Sequence, residues 1–372
     1  MIKIVHFLPS LNNTSGIANM IMNYYREIDK KNFKFYFIYF CDDHDKNFKK
    51  EIENLNGKYY KICTPKKYFE FRHGLIKIFQ IIESDCDDSP IIFHNHQISF
   101  TILFYRIVRK YLTKNIIVHN HLTKYSDKLF SSIRNFILCL PIKHLNLKYF
   151  ACSEDASHIV FGNNKVSIIN NGIDVSRYRY NEEKRKSKRL ELNIKNEFLI
   201  GSIGRLEPQK NYFFAIDIFK EVLEIIPNSK YLIVGKGYLY NELQNYIYEN
   251  NLSENVFLIG ERNDINEILN AFDLLLFPSL FEGLGIVAIE AQANGVPVIA
   301  SSSVPKDVQI YNCKRINLNR DKSEWVNEIK NFYCNRVNRK LGYDFIYKSE
   351  FNIKSNVKNL EAKYREIIGE NI

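Results

Sequence analysis

Short apolar runs alternate with helical patterns along the whole chain, and this alternation limits the fold more than any other feature of the sequence. It is typical of parallel sheets covered by helices. In the first half, the predicted strands are 2–8, 34–40, 58–63, 91–94, 115–119, 149–153 and 166–170. In the second half, they are 198–203, 231–234, 256–259, 274–277, 298–301 and 315–318. The predicted fold class is therefore α/β, with two Rossmann-like, doubly wound domains.

The length of 372 residues also favours two domains, because one ordinary hydrophobic core does not extend over so long a chain. A charged, glycine-free stretch, 181–195, marks a change of composition between the two series of strands. Ligands of such sheets bind beyond the carboxyl ends of the strands. With two domains facing each other, we expect the ligand in the cleft between them.

Composition excludes several classes of protein. With 45% hydrophobic and 14% aromatic residues, the chain is predicted to be folded and globular. No run of about 18 uncharged apolar residues predicts a membrane-spanning helix, and no signal peptide is predicted. The seven cysteines are scattered and form no C-x-x-C pair, which favours reduced thiols over disulfides or a zinc site. We therefore expect a cytoplasmic protein.

The net charge of +10 is concentrated in one segment, 98–150, where nine basic residues accompany a single acidic one, Asp127. Phenylalanine and tyrosine residues interleave with these charges. Two interpretations stay open: an anionic membrane surface, to which each cation contributes about 1 kcal/mol, or a generally lysine-rich solvated surface. Nucleic acid is not an expected partner, since no helix-turn-helix, RNP or zinc-finger pattern accompanies the charge.

The segment 278–297 carries two carboxylates, Glu282 and Glu290, eight residues apart. Glu282 lies in a predicted loop with Gly283 and Gly285, and Glu290 lies in a helical run. Eight helical residues span roughly 12 Å, which is about the length of a sugar, a pyrophosphate and a ribose. A helix start and a glycine backbone also suit phosphate. The segment thus predicts a site for an anionic, hydroxyl-rich ligand.

Two cations, Arg205 and Lys210, follow the predicted strand 198–203 and precede a helix. Positive charge at a helix start is unfavourable unless an anion joins it. A guanidinium and an ammonium together would neutralise a diphosphate through charge-assisted hydrogen bonds. We therefore predict diphosphate binding at these two residues.

Two His-Asn-His triplets, 94–96 and 119–121, lie where predicted strands end, so each triplet can present two imidazoles on one face. Imidazole binds zinc, copper and iron, but no carboxylate spacing accompanies the triplets. We expect no metal site, and instead hydrogen bonds from one histidine of each pair to a polar ligand. The Asp-x-Asp triplets 43–45 and 85–87 are likewise not expected to bind a metal ion.

Together these patterns resemble glycosyltransferase family 4, the retaining enzymes of the two-domain GT-B fold, over nearly the whole chain. The matching motifs are Ser15-Gly16, Asn171 to Asp174, Arg177-Tyr178, Gly204-Arg205 to Lys210, Gly235 to Gly237, Gly260 to Asp264 and Glu282 to Glu290. Residues 281–285 and 290–293 are similar to the capsular and exopolysaccharide branch. One departure is Lys236, where an acidic residue is common in the family.

The resemblance assigns roles to individual residues. Arg205 and Lys210 would hold the donor diphosphate and balance charge on the leaving nucleotide. Glu290 would accept hydrogen bonds from the ribose, and Glu282 would contact the donor sugar. The remaining donor-binding residues are Gly16 in the first loop, Glu261 and Arg262 near the nucleobase, and Gly283, Leu284 and Gly285 beside the sugar. The fourth catalytic residue would be His121, near the transferred sugar, with His119 as the alternative.

The resemblance also implies domains at 1–172 and 173–351, acceptor-binding and donor-binding respectively, with a C-terminal helix within about 352–372 completing the first. The implied reaction is retaining transfer of a hexosyl or N-acetylhexosaminyl group from a nucleotide sugar, expected to be a UDP-sugar. The acceptor would be a glycan, expected to be lipid-linked, in capsular, exopolysaccharide or O-antigen biosynthesis. No cofactor or metal ion is expected. The enzyme would be cytoplasmic and peripheral at the inner face of the plasma membrane.

Two alternatives remain at this point. One is a sugar-nucleotide epimerase on a similar scaffold, against which the basic, aromatic first domain argues. The other is a non-catalytic partner subunit, against which the joint presence of Arg205, Lys210, Glu282 and Glu290 argues. No residue can be assigned as a nucleophile for double displacement. The resemblance implies the family's reaction on one face, in which the departing phosphate takes the acceptor proton.

Overall fold

The structure is a computed structural model that describes residues 1–13, 15–41, 46–85, 89–121 and 129–370. It divides into two compact units: unit 1 is Met1–Ile173 with Ile353–Ile372, and unit 2 is Asp174–Asn352. Each unit contains one parallel sheet, with seven strands in unit 1 and six in unit 2 among the described residues. These sheets confirm the prediction of two Rossmann-like domains.

Unit 1 carries its sheet in the order β3-β2-β1-β4-β5-β6-β7. Its strands are Ile2–Leu8 (β1), Phe33–Tyr39 (β2), Lys58–Lys61 (β3), Ile91–Asn95 (β4), Ile116–Asn120 (β5), Lys148–Ala151 (β6) and Val166–Ile168 (β7). Its helices before unit 2 are Gly16–Glu27 (α1), Lys49–Asn54 (α2), Tyr68–Ser84 (α3), Thr101–Tyr111 (α4), Leu129–Cys139 (α5) and Glu154–Phe161 (α6).

Helices cover both faces of the first sheet. Successive residues of β1 point to opposite faces, so Ile4 packs in one apolar cluster with Tyr24 of α1. Val5 packs in another cluster with Phe104 of α4. Every residue of β1 is buried, as expected for a central strand of a parallel sheet.

Unit 2 carries its sheet in the order β10-β9-β8-β11-β12-β13. Its strands are Phe198–Ile203 (β8), Ser229–Val234 (β9), Val256–Leu258 (β10), Leu274–Phe277 (β11), Val298–Ser301 (β12) and Cys313–Ile316 (β13). Its helices are Glu182–Glu191 (α7), Tyr212–Ile225 (α8), Tyr240–Glu249 (α9), Ile265–Ala271 (α10), Ile286–Ala293 (α11), Lys322–Cys334 (α12) and Arg339–Tyr347 (α13). The last helix of the chain, Ile353–Ile368 (α14), belongs to unit 1.

The predicted strands all occur, and each end lies within two residues of its predicted position. The charged stretch 181–195, which marks the change of composition, contains α7. Asn181 caps this helix by accepting a hydrogen bond from the Lys184 amide at 2.8 Å. Arg189 then anchors α7 through hydrogen bonds to the Ala271 carbonyl and to Asp273. Ion pairs and caps therefore hold this helix in place of a broad apolar face.

No helix among the described residues is long and apolar enough to cross a membrane.

Candidate functional site

The sheet of unit 2 reverses its winding direction between β8 and β11. These strands are neighbours, and the chain continues from β8 to β9 on one side and from β11 to β12 on the other. Ligands of open α/β sheets bind in the crevice that such a reversal leaves at the carboxyl ends of the strands. Arg205 and Lys210 follow β8, and Glu282 follows β11. Three of the four predicted catalytic residues therefore lie at the place where this topology puts a ligand.

Lys210 and Glu282 form an ion pair across this crevice. The distance from Lys210 Nζ to Glu282 Oε1 is 2.6 Å, and the two side chains are only 15% and 10% exposed. Lys210 Nζ also lies 4.9 Å from the ring centroid of Phe277. Desolvation offsets much of the attraction in such a nearly buried pair. We therefore interpret the pair as a device that positions the ammonium group, more than as a source of stability.

Arg205 is far more exposed than Lys210. Its side chain is 63% exposed, and its Nη1 donates to Glu207 Oε1 at 2.9 Å. Carboxylates of the chain itself therefore accompany both cations, so charge repulsion at the helix start does not by itself require an external anion. Diphosphate binding at these two residues stays a prediction. An exposed pair contributes only about 0–1 kcal/mol, so the guanidinium can exchange Glu207 for a ligand at little cost.

The loop after β9 lies directly against the loop after β8. Gly235 has a φ of +150°, and a Cβ at this position would lie 1.9 Å from the carbonyl oxygen of Gly204. Only glycine permits this approach. The contact brings Lys236 to the same edge of the sheet, where its Nζ lies 2.6 Å from Glu261 Oε2. The family's more common acidic residue at 236 would not make this pair.

The residues predicted near the nucleobase lie just beyond β10. Glu261 pairs with Lys236, while Arg262 donates to Asp264 at 2.8 Å and to Glu191 at 2.6 Å. These bonds hold the Arg262 side chain against α7. The nucleobase contact that the resemblance implies for this segment stays a prediction, and these bonds leave its backbone to make that contact.

The start of α11 depends on a glycine. Gly285 is the N-cap residue, with a φ of +88°, and a Cβ there would lie 2.8 Å from the Phe277 ring. Gly283 and Leu284 precede it and are buried. The positive φ turns the chain from the loop into the helix, so the first amides of α11 are available at the end of a helix dipole that favours negative charge.

Glu290, in the middle of α11, is half-buried and accepts a hydrogen bond from the Tyr178 hydroxyl at 2.7 Å. Burial raises the pKa of Glu290 to about 7, although the Tyr178 hydrogen bond and the charge of Arg177 act in the opposite direction. The carboxyl group therefore changes its charge near neutral pH. The sequence showed Tyr178 only as part of the Arg177-Tyr178 motif, and its contact with Glu290 was missed.

In unit 1, five histidines gather at the carboxyl ends of β1, β4 and β5, and we call them the histidine cluster: His6, His94, His96, His119 and His121. His6 Nδ1 lies 3.0 Å from His96 Nε2, and His96 Nδ1 lies 2.9 Å from His121 Nε2. His94 Nε2 lies 3.2 Å from His119 Nδ1. The two predicted triplets are thus joined, and His6 is a member that the sequence reasoning missed. His6 of β1 pairs in register with His94 of β4, a register that the sequence alone does not show.

The histidine cluster carries no charge at neutral pH. Burial lowers the pKa of His6 and His121 to about 3, and burial with repulsion between neighbouring imidazoles places the pKa of the other three well below its ordinary value. His119 is buried, whereas His121 is half-buried. His121 is therefore the more accessible of the two histidines considered for the sugar, and it would act as a neutral hydrogen-bonding group.

Gly16 is the first residue of α1, directly after the N-cap Ser15, whose hydroxyl accepts from the Ala18 amide. A Cβ at Gly16 would meet no atom within 4 Å, so packing within the described residues does not require glycine here. A cavity of about 120 Å³ lies close by, lined by Ile17, His96 and His121 among others. This arrangement leaves space for a ligand beside the histidine cluster.

Two other features do not belong to the site. A groove of about 940 Å³ in unit 2 lies beside Phe198, Asp273 and Pro297, at the amino ends of its strands, where ligands of such sheets do not usually bind. In unit 1, Asp85 pairs with Lys34 and Lys58. This ion-pair network accounts for Asp85. The other members of the acidic triplets (Asp43, Asp45 and Asp87) lie outside the described residues.

Comparison with known proteins also indicates a glycosyltransferase. The family described as glycosyl transferases group 1 matches residues 183–313. The protein named putative glycosyltransferase EpsF of Bacillus subtilis (strain 168) is 24% identical over 364 residues, which cover 92% of this chain and 93% of that protein. The chain is a GT-B glycosyltransferase.

One further relative and one solved structure are similar to this chain. An Escherichia coli UDP-Gal:alpha-D-GlcNAc-diphosphoundecaprenol alpha-1,3-galactosyltransferase is 40% identical over 142 residues, 37% of each chain. The crystal structure of Anabaena HepE in complex with UDP and glucose superimposes with a TM-score of 0.81 over 98% of this chain and 100% of that one, at 16% identity. The structural likeness shows the fold, and together these findings confirm the resemblance to transferases of the exopolysaccharide branch.

Proposed function

We propose that the transferase moves a sugar, with retention of anomeric configuration, from a UDP-sugar to a lipid-linked glycan in capsular, exopolysaccharide or O-antigen biosynthesis. The observation that carries this proposal is the Lys210–Glu282 pair across the β8/β11 reversal, with Arg205 beside it. The name of the Escherichia coli relative, which specifies UDP-Gal and a diphosphoundecaprenol acceptor, supports this class of donor and acceptor. HepE, whose crystal structure is a complex with UDP and glucose, supports the same class of donor.

The proposed chemistry depends on charge at the leaving group. As the bond between the sugar and the diphosphate breaks, negative charge grows on the diphosphate, and Arg205 and Lys210 stabilise it from fixed positions. The acceptor hydroxyl attacks the anomeric carbon from the same face and gives its proton to the departing phosphate. The two cations supply the charge compensation that a metal ion would otherwise give, so we propose that this step needs no added metal.

The carboxylates of unit 2 are proposed to bind hydroxyl groups. Glu282 would accept a hydrogen bond from the donor sugar while it holds Lys210, and Glu290 would accept from the ribose. An ionised carboxylate only accepts hydrogen bonds, and more strongly than a protonated carboxyl group, which also donates one. The raised pKa of Glu290 therefore couples ribose binding to pH. From unit 1, we propose a hydrogen bond between neutral His121 and the transferred sugar.

We also propose that α5 rests on an anionic membrane, where a lipid-linked acceptor is found. On this helix Phe130 is 87% exposed, and Ile133 and Ile137 are also exposed. Exposed Arg134 lies between them, and exposed Lys110 lies on α4 of the same unit. Apolar side chains beside basic ones match the interface of an anionic bilayer.

The test is a transfer assay with a panel of UDP-sugars and a polyprenyl-diphosphate-linked sugar, with Mg²⁺ and Mn²⁺ either omitted or added. We expect one donor to give a product with the anomeric configuration of the donor, as determined by NMR, and at the same rate without added metal. Conversion of the donor sugar in the absence of acceptor would indicate an epimerase instead. Failure of every nucleotide sugar to bind, measured as a shift of thermal unfolding, would contradict the donor site.

A further inference from the structure

The histidine cluster contains buried nitrogen atoms that hydrogen bonding does not satisfy. Among the described residues, His6 Nε2 and His119 Nε2 have no hydrogen-bond partner, and both side chains are at most 2% exposed. Both histidines line one cavity of about 10 Å³, together with His94 and His96. A space of this size accommodates about one small atom. The two histidines with an unpaired nitrogen therefore both line a cavity that fits a single ion or a single water.

The hydrogen bonds of the cluster form two open series, and the ends of these series explain the unpaired nitrogens. A neutral imidazole has one N–H and one lone pair, and each His–His hydrogen bond uses one of each. His6, His96 and His121 form one series, in which His6 bonds through Nδ1. The N–H or lone pair at His6 Nε2 therefore has no partner within the series. The bond from His94 leaves His119 Nε2 in the same condition. A buried nitrogen without a partner is unfavourable, so a ligand atom in the cavity would stabilise the cluster.

We propose that the histidine cluster binds one divalent transition-metal ion of the Zn²⁺ class. Two sets, His6 with His94 and His96, and His96 with His119 and His121, each offer three nitrogens within 4.8 Å of one another. Zinc binds imidazole nitrogen at about 2.0–2.1 Å, so small side-chain rotations bring either set onto one ion. Imidazole ligands suit Zn²⁺ and its neighbours and do not suit Mg²⁺ or Ca²⁺, which require oxygen.

The surroundings of the cluster are suited to a structural metal site. The four histidines that line the cavity are buried, each at most 4% exposed. The Tyr364 hydroxyl of α14 lies 2.8 Å from His94 Nδ1, so it can fix the ring while Nε2 faces the metal, as partners of ligating histidines usually do. The ion would join β1, β4 and β5 to one another and, through Tyr364, to α14. When His6, His94 and His96 hold the ion, it is a structural element of unit 1 and takes no part in the proposed transfer step.

The test uses the intact, tag-free chain, stripped of metal and titrated with Co²⁺ and then Zn²⁺. We expect one Co²⁺ per chain with the intense visible absorption of a site of low coordination number, displaced by Zn²⁺. At a zinc concentration 100 times the dissociation constant, thermal unfolding should shift upward by roughly 5–10 °C. Absence of binding by the folded wild type, or a six-coordinate cobalt spectrum, would overturn the proposal.

Variants show whether the cluster itself is the site. His96 belongs to both sets, so His96→Gln should remove high-affinity binding, while His73→Gln, at an exposed position of α3, should bind like the wild type. Because a change at His96 can also prevent folding, Tyr364→Phe provides a second test that keeps the buried ring. It should weaken binding about 10–100-fold. Unchanged affinity in a folded His96→Gln or Tyr364→Phe variant would contradict the site.

Discussion

The carboxyl ends of the two sheets carry opposite kinds of chemistry. At the β1/β4 reversal, unit 1 presents five neutral imidazoles, of which only His121 is half-buried and the others are buried. At the β8/β11 reversal, unit 2 presents Arg205, Lys210 and Glu282, which lie in ion pairs. The winding is the same in both sheets, so the fold determines where a site can form but not what it binds. The charged edge suits a diphosphate, and the uncharged edge suits hydroxyl groups or a metal ion.

The largest effect is expected at the charged edge. Lys210→Ala should reduce kcat by about 100- to 1000-fold, because a fixed charge at the leaving group is lost. The matched control is Lys330→Ala, at an exposed position of α12, which should leave kcat unchanged. The measurement is steady-state transfer with the preferred UDP-sugar. Normal turnover by Lys210→Ala would show that the charged edge of unit 2 does not stabilise the leaving diphosphate.

The Lys210–Glu282 pair has a positioning role that a double variant can separate from stability. Glu282→Gln leaves the Lys210 ammonium nearly buried without its counter-charge, and the free energy of unfolding should fall by about 1–3 kcal/mol. Adding Lys210→Met should restore most of this stability but not turnover. The exposed Arg320–Glu324 pair is the control, and Glu324→Gln should cost about 0–1 kcal/mol. Recovery of turnover in the double variant would show that the pair contributes only to stability and does not position a catalytic group.

A smaller change, about tenfold in donor affinity, is expected from the raised pKa of Glu290. Below pH 7 the carboxylate fraction falls about tenfold per pH unit, so donor affinity should increase between pH 6 and pH 8. The native state also binds more protons here than the unfolded chain. The free energy of unfolding should therefore decrease as pH rises through 7. Glu290→Gln should abolish both dependences, measured by donor titration and by denaturant unfolding at each pH.

The last expected effect is on membrane binding by the surface of unit 1, and it is no larger than the effect of pH on donor binding. Phe130→Asp on α5 should weaken sedimentation with anionic vesicles about tenfold, because one buried aromatic side chain contributes about 1.5–3 kcal/mol. Tyr248→Asp, on α9 of unit 2 and 76% exposed, should have no effect. Equal binding of the wild type to neutral and anionic vesicles would favour the general lysine-rich surface considered from the sequence.

Much of the fold and part of the site followed from the sequence. Strand alternation gave the two sheets, and Arg205, Lys210 and Glu282 were expected near one ligand because parallel strands end at a common edge. The pairing of Lys210 with Glu282, of Tyr178 with Glu290, and of His6 with His96 could not be predicted. These contacts depend on side-chain rotamers and on residues 72, 112 and 90 positions apart in sequence. Composition alone could not show that the charged stretch 181–195 forms α7.

The central claim is that the charged edge of unit 2 binds the donor diphosphate. Calorimetric titration of the intact chain with UDP and with uridine tests it most directly. The wild type should prefer UDP by about 100-fold, since charged hydrogen bonds contribute about 1.5–3 kcal/mol each. The Arg205→Ala/Lys210→Ala variant should lose this preference. The control Lys330→Ala/Arg336→Ala, which changes exposed positions, should keep it. Equal affinity for UDP and uridine in the wild type, or an undiminished preference in the Arg205→Ala/Lys210→Ala variant, would contradict the account.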